Sequence, residues 1–537
     1  MNGEYASLRV YDTTLRDGTQ GLDVNFTSED KVAITRRLDA FGIDLIEGGW
    51  PGSNPKDIEF FERIRDVELQ NARVTAFGST RRKGVAPEED ENLRALLEAR
   101  TEVVTIFGKS WTLHVTEALG VSLDENLRMI ESSVAFLRAN GKEVVYDAEH
   151  FFDGFNADSE YALATLAAAA RGGAGTLVLC DTNGGSLPAL VSRLVARVRE
   201  EFGLPVGIHA HNDSDLAVAN SIAAVEAGAS HVQGTVNGYG ERCGNANLVS
   251  ILPNLQLKLA RPTGFDLAGL RELSRFVDER ANLQPNVRAP FVGDAAFAHK
   301  GGIHVSAVNK RPDTYEHIDP EVVGNRRRVL ISELSGRANV MAKAQEMGLE
   351  LEARDPAARE VVSRLKELEN RGYAFEGAEA SFQLLSNKVR GDYTPYFTLQ
   401  GFSVIMDKRE GEGEPRCEAV IKIEVGGAAE HTASAGHGPV NALDRALTKA
   451  LARFYPEVAD LELVDYKVRV LAGPETGTAS VVRVQIEMSD GKGSWGTVGA
   501  SSDIIDASYQ ALTDAIEYKL MKEGVEPKAA VAAVQVA

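Results

Sequence analysis

Two histidines separated by one residue, His209 and His211 in the segment IHAHND (208–213), form the strongest chemical signal in the sequence. Side chains two apart on a strand point the same way, so both imidazoles can face one site. Two histidines with a carboxylate and open positions suit a catalytic divalent metal. Asp17 in YDTTLRDGTQ (11–20) is the candidate carboxylate, and Asn245 in GTVNGYGERCGNANL (234–248) could add a carbonyl oxygen. Packed or hydrogen-bonded histidines are the alternative. Arg16, beside Asp17, would be a fixed cation for an enolate or alkoxide, or a salt bridge holding its loop.

Other polar residues gather at the ends of apolar runs. Glu149 could be a general base, orient a ligand or be a satisfied rim carboxylate. Thr182 could bind a substrate carboxylate or cap its strand, and Asp147 ends the same run as Glu149. His304 follows two glycines in HKGGIHVSAV (299–308). It is either a surface histidine or one that reaches over a site, from a neighbouring subunit if need be. Arg326, Arg327 and Arg328, with Lys300, Lys310 and Arg311, form the most basic stretch of the chain. They could meet coenzyme phosphates or stay solvated. Cys243, with no adjacent base, reads as structural.

The elements that must position these residues alternate strand with helix. Strand patterns fall at Leu8–Asp12, Ile43–Gly48, Arg73–Gly78, Val103–Gly108, Glu143–Glu149, Thr176–Thr182, Pro205–Asn212 and His231–Gly238, with amphipathic helical stretches between them. Eight such units in roughly 260 residues predict a (β/α)8 TIM barrel, whose chemistry collects at the C-terminal strand ends. An open doubly wound sheet would need a GxGxxG turn after its first strand, and TTLRDGTQG lacks one.

We expect the barrel over residues 1–264 and a helical linker region with a lid loop over 265–395. Leu351–Arg371 reads as a solvated charged helix. An α+β module over 396–525 contains two similar strand-to-helix passages, a weak repeat of about 125 residues in all. The acidic segment 409–416 reads as a hairpin tip.

Composition narrows the partners. The 537 residues are 44% hydrophobic and carry a net charge of -20. Nucleic acid and anionic membrane surfaces are therefore poor partners. No run of about 18 apolar residues suggests a membrane span. The segment MNGEYASLRV does not read as a signal peptide. Three scattered cysteines suit a reduced, cytoplasmic protein.

With these residues in view, four segments (YDTTLRDGTQ, IHAHND, GTVNGYGERCGNANL and HKGGIHVSAV) resemble the metal-dependent barrel acyltransferases and lyases with an Asp-Arg-Glu signature. The isopropylmalate, citramalate and homocitrate synthases, acyltransferases of this group, add a C-terminal regulatory domain. The similarity covers nearly the whole chain. DAEHFFDGF (147–155), HKGGIHVSAV and ISELSGRANV (331–340) are most similar to the long citramalate synthases.

The resemblance implies a divalent metal (Zn, Mn or Mg) on Asp17, His209, His211 and Asn245. Arg16 would be the catalytic cation, Glu149 and His304 would serve proton transfer with Tyr315 assisting, and Thr182, Arg16 and Asp147 would bind substrate. It implies condensation of acetyl-CoA with pyruvate, giving (R)-citramalate and CoA for isoleucine biosynthesis. It also implies a homodimer inhibited by an amino acid, isoleucine, at the C-terminal domain. An isopropylmalate or homocitrate synthase, a carbon–carbon lyase and a non-catalytic amino-acid sensor are the alternatives.

Overall fold

A computed structural model describes residues 8–261, 263–329, 356–375, 377–408, 415–471 and 480–529. Two compact units emerge, one from the described residues of Met1–Phe297 with Ile318–Arg327, the other from those of Ala298–His317 with Arg328–Ala537.

In the first unit the alternating pattern closes as an eight-stranded parallel barrel, β1 to β8 in chain order. The strands are β1 Arg9–Asp12, β2 Leu45–Gly49, β3 Arg73–Ser79, β4 Val103–Lys109, β5 Glu143–Glu149, β6 Thr176–Asp181, β7 Val206–Ala210 and β8 His231–Gly234. Each lies within two residues of its predicted start. The ends of β7 and β8 differ more, because both chains leave the sheet early to build the site loops. β1 pairs with β8, with Tyr11 opposite Gln233, and that ladder closes the ring.

Parity along the strands divides the residues. Val10, Ile46, Val104, Val144, Leu177 and Leu179 face outward and join the large core under the helices. Tyr11, Leu45, Val103, Val145, Val178 and Cys180 form a separate interior cluster. The inward register also carries Glu47, Thr75, Phe77, Thr105, Phe107, Asp147, His209 and Gln233 toward the C-terminal mouth. In mid-barrel, the Tyr11 hydroxyl donates to Glu47 at 2.6 Å and lies 3.0 Å from Thr75 Oγ1 and 2.7 Å from Thr105 Oγ1. A buried polar layer is stable only when its groups are paired in this way.

The second unit holds a short parallel pair, β9 Ala298–His299 with β10 Arg328–Val329. Two antiparallel three-stranded sheets follow: β11 Thr398–Asp407, β12 Arg416–Val425 and β13 Ala428–Gly436, then β14 Glu462–Val470, β15 Val482–Ser489 and β16 Ser494–Ser501. The helices Pro439–Ala452 and Ile504–Lys522 follow the two sheets and bury Leu443, Leu447, Leu512 and Ile516 in one shared core. The strand-to-helix repeat is thus two βββα passages, with β13 longer than the short strand the sequence suggested.

The charged helix, described over Pro356–Asn370, is not merely solvated. Val361 and Leu365 pack with Phe375, Phe382 and Val498. Its predicted first turn, the ISELSGRANV motif and residues 409–414 of the acidic segment lie outside the described residues. The predicted basic stretch is divided, with Arg326 and Arg327 in the first unit and Lys300, Lys310, Arg311 and Arg328 in the second. Among the described residues, no helix is long and apolar enough to cross a membrane.

Candidate metal centre and active-site cavity

The loop after β1 is held tightly enough to fix two charges. Thr14 donates from its amide and hydroxyl to the Asp12 carboxylate (3.0 and 2.8 Å), and its hydroxyl accepts from Val236 N at 2.8 Å. Arg16 and Asp17 follow on this braced turn. The loop after β8 is equally constrained. Gly244 takes φ +91°, and a Cβ there would lie 2.0 Å from the Gly238 carbonyl oxygen, so glycine is required. The next residue, Asn245, forms a bridge with His211.

Asp17, His209 and His211 are buried and offer ligand atoms within 4.8 Å of one another. Asp17 Oδ2 lies 3.2 Å from His209 Nε2 and 3.9 Å from His211 Nε2, and the two Nε2 atoms are 3.3 Å apart. Asn245 Nδ2 donates to Asp17 Oδ2 at 2.8 Å, while its Oδ1 is buried without a partner.

Burial would raise the Asp17 carboxyl, but Arg16 and His209 hold it well below the usual carboxylate range. Burial and the neighbouring His209 push His211 down to about 4, so its ring is neutral at physiological pH and keeps a lone pair. One carboxylate, two converging imidazole nitrogens and an orphaned amide oxygen are the donor set of a divalent metal, and the site fits one.

Arg16 stands between this cluster and the barrel interior. Its Nε donates to Glu47 Oε1 at 2.5 Å, its Nη1 lies 3.4 Å from Asp17 Oδ1, and its guanidinium covers the Phe77 ring at 3.7 Å. These buried carboxylates raise its pKa against the burial that would lower it, so it is a permanent cation. The structure shows the salt bridge of Arg16, and the same contacts fix its charge at the edge of the barrel mouth.

A cavity of about 220 Å³ opens beside the cluster, lined by Arg16, Asp17, Asp147, Glu149, Thr182, His209 and His211. Trp50, Phe77 and Phe107 form one wall, with the two phenylalanines stacked 5.5 Å apart and Trp50 edge-on to both. Asp147 is raised to about 7, chiefly by burial. Glu149 pairs with Lys109, its neighbour across the β4–β5 ladder. Thr182 Oγ1 accepts from His150 N at 2.9 Å, bracing the loop after β5 while the residue lines the cavity.

Seven of the ten predicted residues therefore meet at one cavity, and Asn245 adjoins it through Asp17. His304 and Tyr315 belong to the second unit, where their ring centres lie 4.3 Å apart with the planes tilted by 33°. Glu47, Lys109, Gln233 and the aromatic wall were missed. Glu47 did leave a trace, since a carboxylate inside the apolar run LIEGG must find a cation when buried. Lys109 and the aromatic residues sit at strand ends with no motif around them.

The HMGL-like family matches residues 7–277, the homocitrate synthase post-HMGL domain-like family residues 291–373, and the LeuA allosteric (dimerisation) domain residues 376–520. The chain is 55% identical to the (R)-citramalate synthase of Geobacter sulfurreducens, over 96% of this chain and 98% of that one. It is 52% identical to that of Aquifex aeolicus (96% and 98% covered) and 46% identical to that of Sulfolobus acidocaldarius (96% and 97%). The barrel, its donor set and these full-length similarities agree: the chain belongs to the citramalate synthase family, acyltransferases built on an HMGL-like barrel.

Proposed function

We propose that this protein condenses acetyl-CoA with pyruvate, giving (R)-citramalate and free CoA. The observation that carries this reading is the placement of Asp17, His209, His211 and Arg16 on one small cavity. Asp17, His209, His211 and Asn245 would hold the metal, be it Zn, Mn or Mg. A bound divalent ion supplies Lewis acidity toward the carboxylate and keto oxygen of the 2-oxo acid.

The protein's own residues do the rest. Thr182 and Arg16 bind the pyruvate carboxylate and keto group. We assign the wall of Trp50, Phe77 and Phe107, with Asp147, to the methyl group of pyruvate. Glu149 moves the proton taken from the acetyl methyl group, and His304 and Tyr315 are assigned to the same step by the family resemblance, not by the cavity lining. The resulting carbon nucleophile forms its bond to C2, and Arg16 faces the charge that develops on the keto oxygen. Water then cleaves the thioester, leaving a carboxylate and the CoA thiol.

The match to the LeuA allosteric (dimerisation) domain supports a homodimer with an amino-acid effector on residues 396–525. Isoleucine is our assignment for that effector, as end product of the pathway citramalate feeds. The three free cysteines, Cys180 and Cys417 buried and Cys243 exposed, support a reducing cytoplasmic setting.

The test is CoA release from acetyl-CoA with pyruvate, 2-oxobutyrate, 2-oxoisovalerate or 2-oxoglutarate, each with and without a chelator. Pyruvate is expected to lead, with activity lost on chelation and restored by a divalent metal. Preference for a branched or longer acid overturns the substrate. No release from metal-replete protein with any acid overturns the synthase reading.

A further inference from the structure

Residue 233 bridges a proposed metal ligand, His209, and a residue of the cavity lining, Asp147. β8 reads His-Val-Gln-Gly, and its alternation turns Gln233 into the barrel, where it is fully buried. A primary amide buried there needs partners for both ends. Its Nε2 lies 3.0 Å from Asp147 Oδ1 and 3.4 Å from His231 Nε2. Its Oε1 lies 2.8 Å from His209 Nδ1. Turning the amide over would aim its oxygen at the Asp147 carboxylate, so the ionised form of Asp147 selects the orientation found.

That orientation has a chemical consequence. An amide oxygen only accepts, so the hydrogen of the His209 ring must sit on Nδ1. In the neutral ring Nε2 is then the bare nitrogen, and it is the Nε2 atom that lies 3.2 Å from Asp17 and 3.3 Å from both His211 Nε2 and Asn245 Nδ2. We infer that Gln233, oriented by Asp147, is a positioning residue that locks His209 in the Nδ1–H tautomer and so sets the affinity of the Asp17–His209–His211 site for a divalent metal. Its effect on metal affinity rests on the metal reading above; the tautomer itself does not.

The experiment uses the full chain stripped of metal and titrated with Mn²⁺, free ion being followed by electron paramagnetic resonance. Gln233→Met, close in length and without polar atoms, is expected to weaken Mn²⁺ binding about 10- to 100-fold with its far-ultraviolet dichroism unchanged. Gln233→Glu keeps an acceptor toward Nδ1–H, must share a proton with Asp147 in place of the amide donor, and is expected to recover part of that loss. In the metal-free wild type, at a pH high enough that the His209 ring is neutral, its ¹⁵N shifts are expected to show a protonated Nδ1 and a bare Nε2.

Folded Gln233→Met that binds Mn²⁺ as tightly as wild type overturns the inference and leaves the metal site standing. A wild-type His209 carrying its hydrogen on Nε2 overturns it even if the Met variant does not fold. Wild type that takes up neither Mn²⁺ nor Zn²⁺ overturns the metal reading itself, and the affinity claim with it.

Discussion

Two buried cations, one in each unit, show how the same interaction serves different ends. Arg16 at the barrel mouth meets Glu47 and Asp17 with its side chain 12% exposed, on the edge of a cavity. Lys519 in the helix Ile504–Lys522 is fully buried against Asp490 at 3.1 Å, Glu523 at 2.8 Å and Asp460 at 3.2 Å. Both cost desolvation, and both are tolerated because carboxylates surround them. The difference lies in what remains unsatisfied nearby. Around Arg16 stand a neutral His211, an orphaned Asn245 oxygen and open volume. Around Lys519 three carboxylates close on one ammonium. The first arrangement leaves interactions for a ligand, and the second spends them on the fold.

The sharpest way to break this contrast is Arg16→Lys. A lysine keeps the charge but loses the fork that reaches Glu47 and Asp17 together. We expect kcat for CoA release to fall about 10²- to 10³-fold, the range for losing one preorganised donor, with little change in thermal stability. If stability collapses while kcat holds, Arg16 is a strap like Lys519 and the contrast fails.

Lys519→Met should do the reverse. Removing Lys519 leaves the buried Asp490 with only Lys522 at 3.5 Å and Glu523 with Lys492 at 3.9 Å, which costs about 3 kcal/mol where, as at the half-exposed Asp460, solvent reaches one side. Thermal unfolding should show that loss in the C-terminal unit, with CoA release at low temperature unchanged. The pH sign follows from Asp490. Burial raises its carboxyl, but the Lys492 and Gly493 amides and Lys519 hold it well below the usual range. Its contribution is therefore present above the unfolded carboxylate pKa and lost in acid. The gap between wild type and variant should narrow as pH falls below about 4.

These two clusters also mark how much the sequence disclosed. The barrel was legible because parallel strands buried on both faces give near-continuous apolar runs, and polar residues at the ends of such runs stand out. His209 and His211 were legible because their spacing and strand parity aim them together, and Asp17 because ring closure sets the loop after β1 beside β8. Glu47 and Gln233 were harder, because nothing in their own segments names the partners that define them, Arg16 and Tyr11 for one, His209 and Asp147 for the other. Lys519 was invisible. In an amphipathic helix a lysine reads as solvated, and only the packing of residues 460, 490 and 523 around it buries it. β13 was underestimated because Ala, Ser and Gly in AAEHTASAG carry little strand signal, while pairing with β12 along its length decides the outcome.

The smallest effect tests the contrast from the other side, through a carboxylate in the C-terminal unit that no cation compensates. Asp444 lies half-buried on the helix Pro439–Ala452, between the buried Leu443 and Ala446–Leu447. Burial alone pushes its carboxyl up to about 6. A carboxylate whose folded pKa is raised favours the protonated form. The native state therefore pays no penalty below the unfolded pKa near 4, loses stability as pH rises from about 4 to about 6, and stays lower beyond. Asp444→Asn, which never ionises, should match wild type near pH 4 and exceed it by about 1 kcal/mol at pH 8, the full shift being discounted for partial exposure. Unfolding in urea at the two pH values measures this directly. A gain at pH 8 alone would mean that the C-terminal unit carries one charge it does not need for folding. An Asn variant less stable than wild type at pH 8 would mean that the ionised Asp444 is satisfied there, and that in this unit, as around Lys519, every buried charge has been answered.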